Sequence, residues 1–395
     1  MADLITRDLV YGIEEEVTEG TYVAPQSTGG YFQPLEGEEF TPSRELLERN
    51  ILSGSIGRSA PKLGMKSAQL SIPVEFRASG TEGAAPDFDK LIESAMGAVR
   101  SIASQVTTKN ASHTTTQLEI EDADISDFSV GDIIVVLKSG AHEARAVTAV
   151  DTTGSAANIT IAPALSSTPP NSVVIAKART YYLADTGHPS LSLSRYVGAA
   201  IRQAALGCKV SQMSFDNFAT GQIASLNFAL QAMSFTETVG APPHTPVYDS
   251  AAPPVILNTC IWKGSSMLSM NNFSLQLQNE LVQKKDFCDA NGVVAQLVAR
   301  RTISGTMNPY APHNAVTQFD NWLAGTQFSM FGYAYTPSAT SGEIELGSVV
   351  GFYLPACIVT EYKKTDQDGL VIDEMAWQAT RGNDGTTPEF YLGMI

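Results

Sequence analysis

The stretch Gln69–Gly97, QLSIPVEFRASGTEGAAPDFDKLIESAMG, decides the fold because it has an echo at Gln296–Gly325, QLVARRTISGTMNPYAPHNAVTQFDNWLAG. Both copies open with alternating polar and apolar residues and reach the same tripeptide, Ser79-Gly80-Thr81 and Ser304-Gly305-Thr306. Both then cross a loop rich in Ala and Pro and end in a short helical run headed by Phe88-Asp89 or Phe319-Asp320. An internal repeat settles the domain plan before any local reading does.

In the first copy Gln69, Ser71, Glu75, Arg77 and Ser79 alternate with Leu70, Ile72, Val74, Phe76 and Ala78, the period of a half-buried strand. Pro73 places that strand near an edge or a bulge. The following helix, about 87–96, carries Phe88, Leu91, Ile92 and Ala95 on one stripe, with Asp87 as candidate N-cap. Cys208–Ser214 and Ile223–Phe235 read as a hairpin in which Ser225, Asn227, Ala229 and Gln231 alternate with Leu226, Phe228 and Leu230. Near the C-terminus Cys357-Ile358-Val359-Thr360 stands for Cys208-Lys209-Val210-Ser211, and Gln378-Ala379 for Gln231-Ala232, with a polar stripe of Glu374 and Gln378. Phe273–Leu281 follows the same rule, setting Ser274, Gln276, Gln278 and Glu280 against Leu275, Leu277 and Leu281.

Between the copies lies a different texture. Residues 101–180 hold a Ser/Thr-rich linker and then short β-branched runs (LEIED, VGDIIVVL, HEARAVTAV, NITIAPAL, VVIAKA) separated by turn signals. The second half has no counterpart, so this reads as an inserted all-β domain. The plan is a first unit over 1–100 and 181–245, the insert, a Pro-rich linker at 246–254, and a second unit over 255–395. The first forty residues read as an arm leading into a strand, with Glu14–Glu16 as a solvated charge run rather than a cation site. Glu39–Ser67 reads as a loop too long for a tight hairpin. Its Leu46, Leu47, Ile51, Leu52 and Ile56, bordered by Arg44, Arg49, Arg58, Lys62 and Lys66, fit docking onto another subunit.

Composition narrows the function. The 395 residues carry 25 Lys+Arg against 41 Asp+Glu, a net charge of −16, which opposes a protein that grips phosphate backbones and suits one that lets polyanions slide past. The N-terminus has no signal-like apolar run, and no stretch is long and apolar enough to span a bilayer. Cys208, Cys260, Cys288 and Cys357 are widely spaced and read as reduced thiols. The five histidines (His113, His142, His188, His244, His313) have no metal spacing, and His142-Glu143 lacks a second His. GTEGAAP and GSIGRSAPKLG lack the Lys-Ser/Thr of a phosphate loop, while Ser53-Gly54-Ser55 and Gly264-Ser265-Ser266 are not nucleophile elbows. No catalytic, metal or cofactor constellation is expected. The basic pairs Lys284-Lys285, Arg300-Arg301 and Lys363-Lys364 read as partners for salt bridges between subunits.

The order strand, long loop, strand, SGT turn, short helix, strands, given twice, resembles the major tail-tube proteins of long-tailed, siphovirus-type bacteriophages. The lead-in GIEEEVTEGTYVAP and the insert's VGDIIVV and ITIAPAL are similar to theirs. The resemblance implies a mainly β fold of two tandem β-sandwich or half-barrel domains, each with a short flanking α-helix. It further implies a virion protein, made in the host cytoplasm, that self-assembles into stacked rings around a DNA channel. Two units per chain imply a homotrimeric, pseudo-sixfold ring, with a homohexamer as the alternative. The implied partners are the tape-measure protein and genome DNA in the lumen, and the tail terminator and distal tail proteins. The loop that reaches the neighbouring ring maps onto Glu45–Lys66; its counterpart in unit two, about 281–294, reads as much shorter. Lumen-facing candidates are Gln69, Ser71, Glu75, Ser225, Asn227, Gln231, Gln276, Gln278, Glu280, Glu374 and Gln378. A β-rich surface or baseplate adhesin, its insert binding host glycans, is the competing reading.

Overall fold

Strands with one apolar and one polar face must share a core on the apolar side, and here eight of them do so in a single continuous run. The computed structural model describes residues 8–52, 56–111, 113–152, 157–198, 200–257, 259–311, 316–382 and 385–395. The run begins with Glu39–Leu47, which pairs with Lys62–Glu75; that strand pairs with Ser225–Ala232, and this with the C-terminal half of Ile201–Asp216. It continues through Met270–Lys285, Val293–Pro309 and Leu370–Ala379 to Val350–Gln367. All seven junctions are antiparallel. Leu70, Ile72, Val74, Phe228, Leu277, Ile303, Met375 and Trp377 are buried together on one side, so both halves of the chain share one core.

The second four strands stand in the same order as the first four, and the register matches in detail. Glu39, Ser71, Ala229 and Gln212 form one row across the first quartet. Ser274, Thr306, Ala376 and Glu361 form the same row across the second. A bulge interrupts each last ladder at the same place, beside Ser211 and beside Thr360. This register corrects the repeat as read from sequence. Gln69 corresponds to Ser304, not to Gln296, and Ser304-Gly305-Thr306 lies inside a strand. Ser79-Gly80-Thr81 is a true turn, with Gly80 at φ +86° and its N–H donating to the Gly347 carbonyl. The shared tripeptide thus marks two different sites. Gly305 is required by packing: a Cβ there would sit 2.0 Å from the Ser274 carbonyl oxygen and 2.5 Å from the Trp377 ring.

The presumed long loop is also largely strand. Glu39–Leu47 and Lys62–Glu75 form a projecting arm, and Met270–Lys285 with Val293–Pro309 forms a second one. Leu46 pairs with Leu63, and Leu281 with Val298, at equivalent positions. Both arms therefore enclose the same length of chain beyond those pairs. The second arm looked shorter because its ladder continues to Lys285 and Val293, while the first stops at Leu47 and Lys62. Pro73 lies just past the point where the Glu39–Leu47 strand begins, so on that flank it is outside the ladder, and its carbonyl accepts from the Leu35 N–H at 2.7 Å.

Two helices and an outer layer cover the apolar face. The helix Asp89–Met96 buries Leu91, Ile92, Ala95 and Met96, and Phe88 is buried beside them. It begins at Phe88 without a side-chain cap, so Asp87 does not cap it. The N-terminal segment is no free arm: Leu9–Glu15 pairs with Leu191–Val197. Glu14 joins Lys90 at 2.7 Å, and Glu16 accepts from Gly20 N, Ser192 Oγ and Gly207 N. These carboxylates hold the fold together rather than lying solvated. The strands flanking the insert, Gly97–Ile102 and Ala178–Leu183, pair with each other, and the latter joins the C-terminal Tyr391–Met394. The two halves are therefore interleaved. The insert forms its own six-stranded sheet, and its core closes on Phe331, Tyr333, Tyr353 and Tyr391 of the second half. Ile133 reaches the facing glycines Gly351 and Gly393, where a Cβ on Gly393 would come within 2.7 Å.

The linker is pinned by a buried ion cluster. Arg77 donates to Asp87 Oδ2 at 2.9 Å and to the Asp249 and Ala251 carbonyls, while the Asp87 N–H donates to Asp249 Oδ2. Burial pushes the Asp87 carboxyl up to about 6, with Arg77 opposing and Asp249 adding to the rise. A carboxyl that holds its proton more firmly when folded contributes stability at low pH that is lost as pH rises through about 6.

Two outcomes are expected. Gly305→Ala lowers the urea midpoint by an equivalent of about 1–3 kcal/mol, since neither the Ser274 backbone nor the Trp377 ring can yield freely. Comparison of pH 4 with pH 7 shows wild type losing about 2–3 kcal/mol at this cluster, and Asp87→Asn flattens that slope; an unchanged slope refutes the assignment.

Candidate functional site

The uncovered side of the eight-stranded run is one continuous polar surface. Strand alternation fixes which side chains share it. Gln69, Ser71 and Glu75 stand opposite Gln231, Ala229 and Ser225, with Asn227 between the last two. Ser214 and Gln212 carry the same face across to Gln276 and Gln278. Beyond them Gln278 and Glu280 face Thr302 and Arg300, while Ser304 faces both Gln276 and Gln378. Glu374 pairs with Lys363, 3.0 Å away as an ion pair. The structure thus gathers all eleven polar-stripe residues onto one face of one sheet. Ser225 differs from the others, being 5% exposed and donating to the Asp216 carbonyl.

The wall also includes Thr41, Gln212, Ser214, Thr302, Ser304 and Thr306, which sequence reading missed. The bulge at Ser211 breaks the alternation before Gln212 and Ser214, and the tripeptide echo drew Ser304 and Thr306 into a supposed turn. Alternation of Thr302, Ser304 and Thr306 with Ile303 and Met307 was the available signal. The face is neutral to acidic. Glu39, Glu75, Asp216, Glu280, Glu361 and Glu374 lie on it, and Arg300 and Lys363 each stand directly across from one of those carboxylates.

Both ends of the run are open edges. Among the described residues Glu39–Leu47 has a partner on one side only, and its own residues are almost all exposed. Val350–Gln367 loses its second neighbour after Cys357, leaving Thr360–Gln367 paired only with Leu370–Ala379. In the first quartet the equivalent edge is filled internally: Gln212, Met213 and Ser214 pair with Gln278, Leu277 and Gln276. Buried Asn279 completes that seam, its Nδ2 donating to the Ala95 and Val210 carbonyls. The second helix, Thr317–Leu323, has no such neighbour. None of its residues is buried, and Val316, Phe319 and Leu323 are exposed beside the Trp322–Tyr362 stack.

The remaining expected features are structural. Leu46, Leu47, Ile51, Leu52 and Ile56 are exposed at the tip of the first arm, together with Arg58 and Lys62. Arg301 binds Asp185 and Glu389, and Lys364 binds Asp373 at 2.7 Å, so these basic pairs make bridges within the chain. His113 bonds Thr108 and the Glu119 N–H, and His188 bonds the Ser94 and Ala184 carbonyls; burial lowers both imidazoles. His313 and Ser53-Gly54-Ser55 lie outside the described residues. Cys208 and Cys357 are buried, Cys288 is exposed, and all four thiols are free. Among the described residues no three His, Cys, Asp or Glu side chains converge as metal ligands, and no helix is long and apolar enough to cross a membrane.

A family model described as "Phage tail tube protein" matches residues 6–379. No curated protein matches the chain. The geometry of the edges gives its own expectation for the purified, dilute chain. Peptides covering Glu39–Leu47 and Thr360–Gln367 exchange amide hydrogens quickly, whereas those covering Gln212–Ser214 are protected by the internal seam. Equal protection at all three places, by hydrogen–deuterium exchange mass spectrometry, is the opposite result.

Proposed function

Because the chain belongs to the phage tail tube protein family, and so is a structural tail protein, we propose that it closes into a ring of three chains by repeating its internal seam between copies. The single observation that supports this most is the match between the filled edge and the open one. Gln212, Met213 and Ser214 correspond to Glu361, Tyr362 and Lys363, while Gln278, Leu277 and Gln276 correspond to Ser43, Pro42 and Thr41. Copying the seam pairs Glu361 with Ser43, Tyr362 with Pro42, and Lys363 with Thr41 of the next chain. Arg44 then takes the place of Asn279 and points its donors at the Val359 carbonyl and the exposed second helix. Unpaired strand edges of this length are aggregation hazards unless a designated partner covers them, and a closed barrel removes them altogether.

Three chains give a wall of about 24 strands, whose girth at ~4.8 Å per strand corresponds to a diameter of roughly 37 Å before tilt widens it. The polar face lines the inside in this reading, because the opposite face is already buried in the core. A lining of Gln, Ser, Thr and carboxylates stays hydrated, offers DNA no cationic grip, and so fits a conduit for the genome. The insert, closed against the second half, thickens the outer side.

The test is Thr41→Cys with Lys363→Cys, oxidised after assembly. Rotationally averaged electron micrographs are expected to show rings, and denaturing gels a ladder ending at three chains. A ladder continuing to six supports a hexamer instead, and a protein that stays monomeric at high concentration overturns the reading. In the assembled tube, Gln69→Arg with Gln278→Arg is expected to add salt-sensitive retention of DNA that wild type lacks; no gain places this face away from the lumen.

A further inference from the structure

Resting on that stacked-ring reading, we propose that the second arm is a stacking device in its own right, its tip residue Phe287 seating in an apolar recess on a copy in the adjoining ring. The tip is a built feature. Asp286 Oδ1 accepts from Cys288 N at 2.8 Å and Asp289 Oδ1 from Asn291 N at 2.7 Å, so the turn is held while Phe287 stands 100% exposed. Val282, Val294 and Leu297 on the same arm are exposed as well. A fully exposed phenyl ring on an ordered turn has no role within its own chain.

The recess lies at the other end of the same strand. It has a volume of about 350 Å³; Phe218, Ile256, Leu257, Met267, Leu268 and Met270 give it an apolar wall beside the polar Thr220, Asn271 and Asn272, and Leu257 and Met267 are two-thirds exposed. Met270 opens the strand whose far end, Lys285, leads into the Phe287 turn. Knob and hole are thus separated along one strand by roughly 50 Å at ~3.4 Å per residue. A second copy displaced along the strand direction brings one to the other. Such a head-to-tail contact does not close on itself and propagates a filament.

Charge follows the same polarity. The arm end carries Arg49, Arg58, Lys62, Lys284 and Lys285 against Glu48, Asp286 and Asp289, whereas the recess end carries Glu36, Glu39, Glu75, Asp216, Asp366 and Asp368. The cations on that side are already paired: Arg77 with Asp87 and Glu75, Lys363 with Glu374 and Lys364 with Asp373. An arm end whose named cations outnumber its named carboxylates, on a chain of net charge −16, fits a partner that presents the acidic end of a second copy.

The test uses the full chain, with two readouts. Phe287→Asp, a change at a fully exposed site, is expected to leave the melting temperature and the rings intact while reducing tube length at least tenfold, and wild-type tubes are expected to shorten as salt is raised. Met267→Cys, oxidised in tubes, is expected to form a disulfide with native Cys288 of another chain, giving chain-to-chain polymers on non-reducing gels that vanish with Cys288→Ser. Rings that stack normally with Phe287→Asp, or tubes that never cross-link at these positions, overturn the proposal while leaving ring closure standing. Failure of wild type to form rings removes the assembly reading and this proposal together.

Discussion

A β-sheet with one dry face must satisfy two separate demands: its apolar side chains need cover, and its outermost backbone groups need partners. In this chain the first demand is met internally and the second only in part. Helix Asp89–Met96, the outer strands and the interleaved C-terminus bury the apolar face in one core. The backbone edges at Glu39–Leu47 and Thr360–Gln367 are left bare. An unmet edge costs free energy or finds a partner, and the same molecule holds one filled seam of this kind, where Gln212–Ser214 pair with Gln278, Leu277 and Gln276.

That internal seam links packing to function. Met213 and Leu277 are fully buried where the two quartets meet, and Asn279 satisfies two carbonyls that would otherwise be stranded. A buried donor serving two acceptors fixes register as well as adding stability. The second quartet carries the same bulge, the same row of residues and a helix, yet leaves Phe319, Leu323 and the edge of Tyr362 uncovered.

The polar wall has the complementary logic. Its residues are mostly short or neutral, its carboxylates outnumber its cations, and Arg300 and Lys363 each stand against a glutamate. Such a surface offers a polyanion few cations to bind.

The sequence by itself determined the mainly β class, the polar and apolar stripes, the inserted β domain and the likeness to tail-tube proteins, because alternation and order survive in a linear string. The eleven stripe residues it picked out share one face of one sheet by strand register. It misaligned the repeat, since an identical Ser-Gly-Thr outweighed a register that only hydrogen bonds reveal: Gly305 serves Trp377, and Gly80 serves a turn. It took a paired arm for a loop because Pro42, Arg44 and Glu45 carry no clear strand signal, and it made two arms of equal span look unequal. Only the tertiary structure decided that the two quartets join at Gln212–Ser214, that Ala178–Leu183 belongs beside Tyr391–Met394, and which edges remain open. Those are long-range pairings of backbone atoms, which every residue carries alike, and side-chain patterns cannot encode which strand lies next to which.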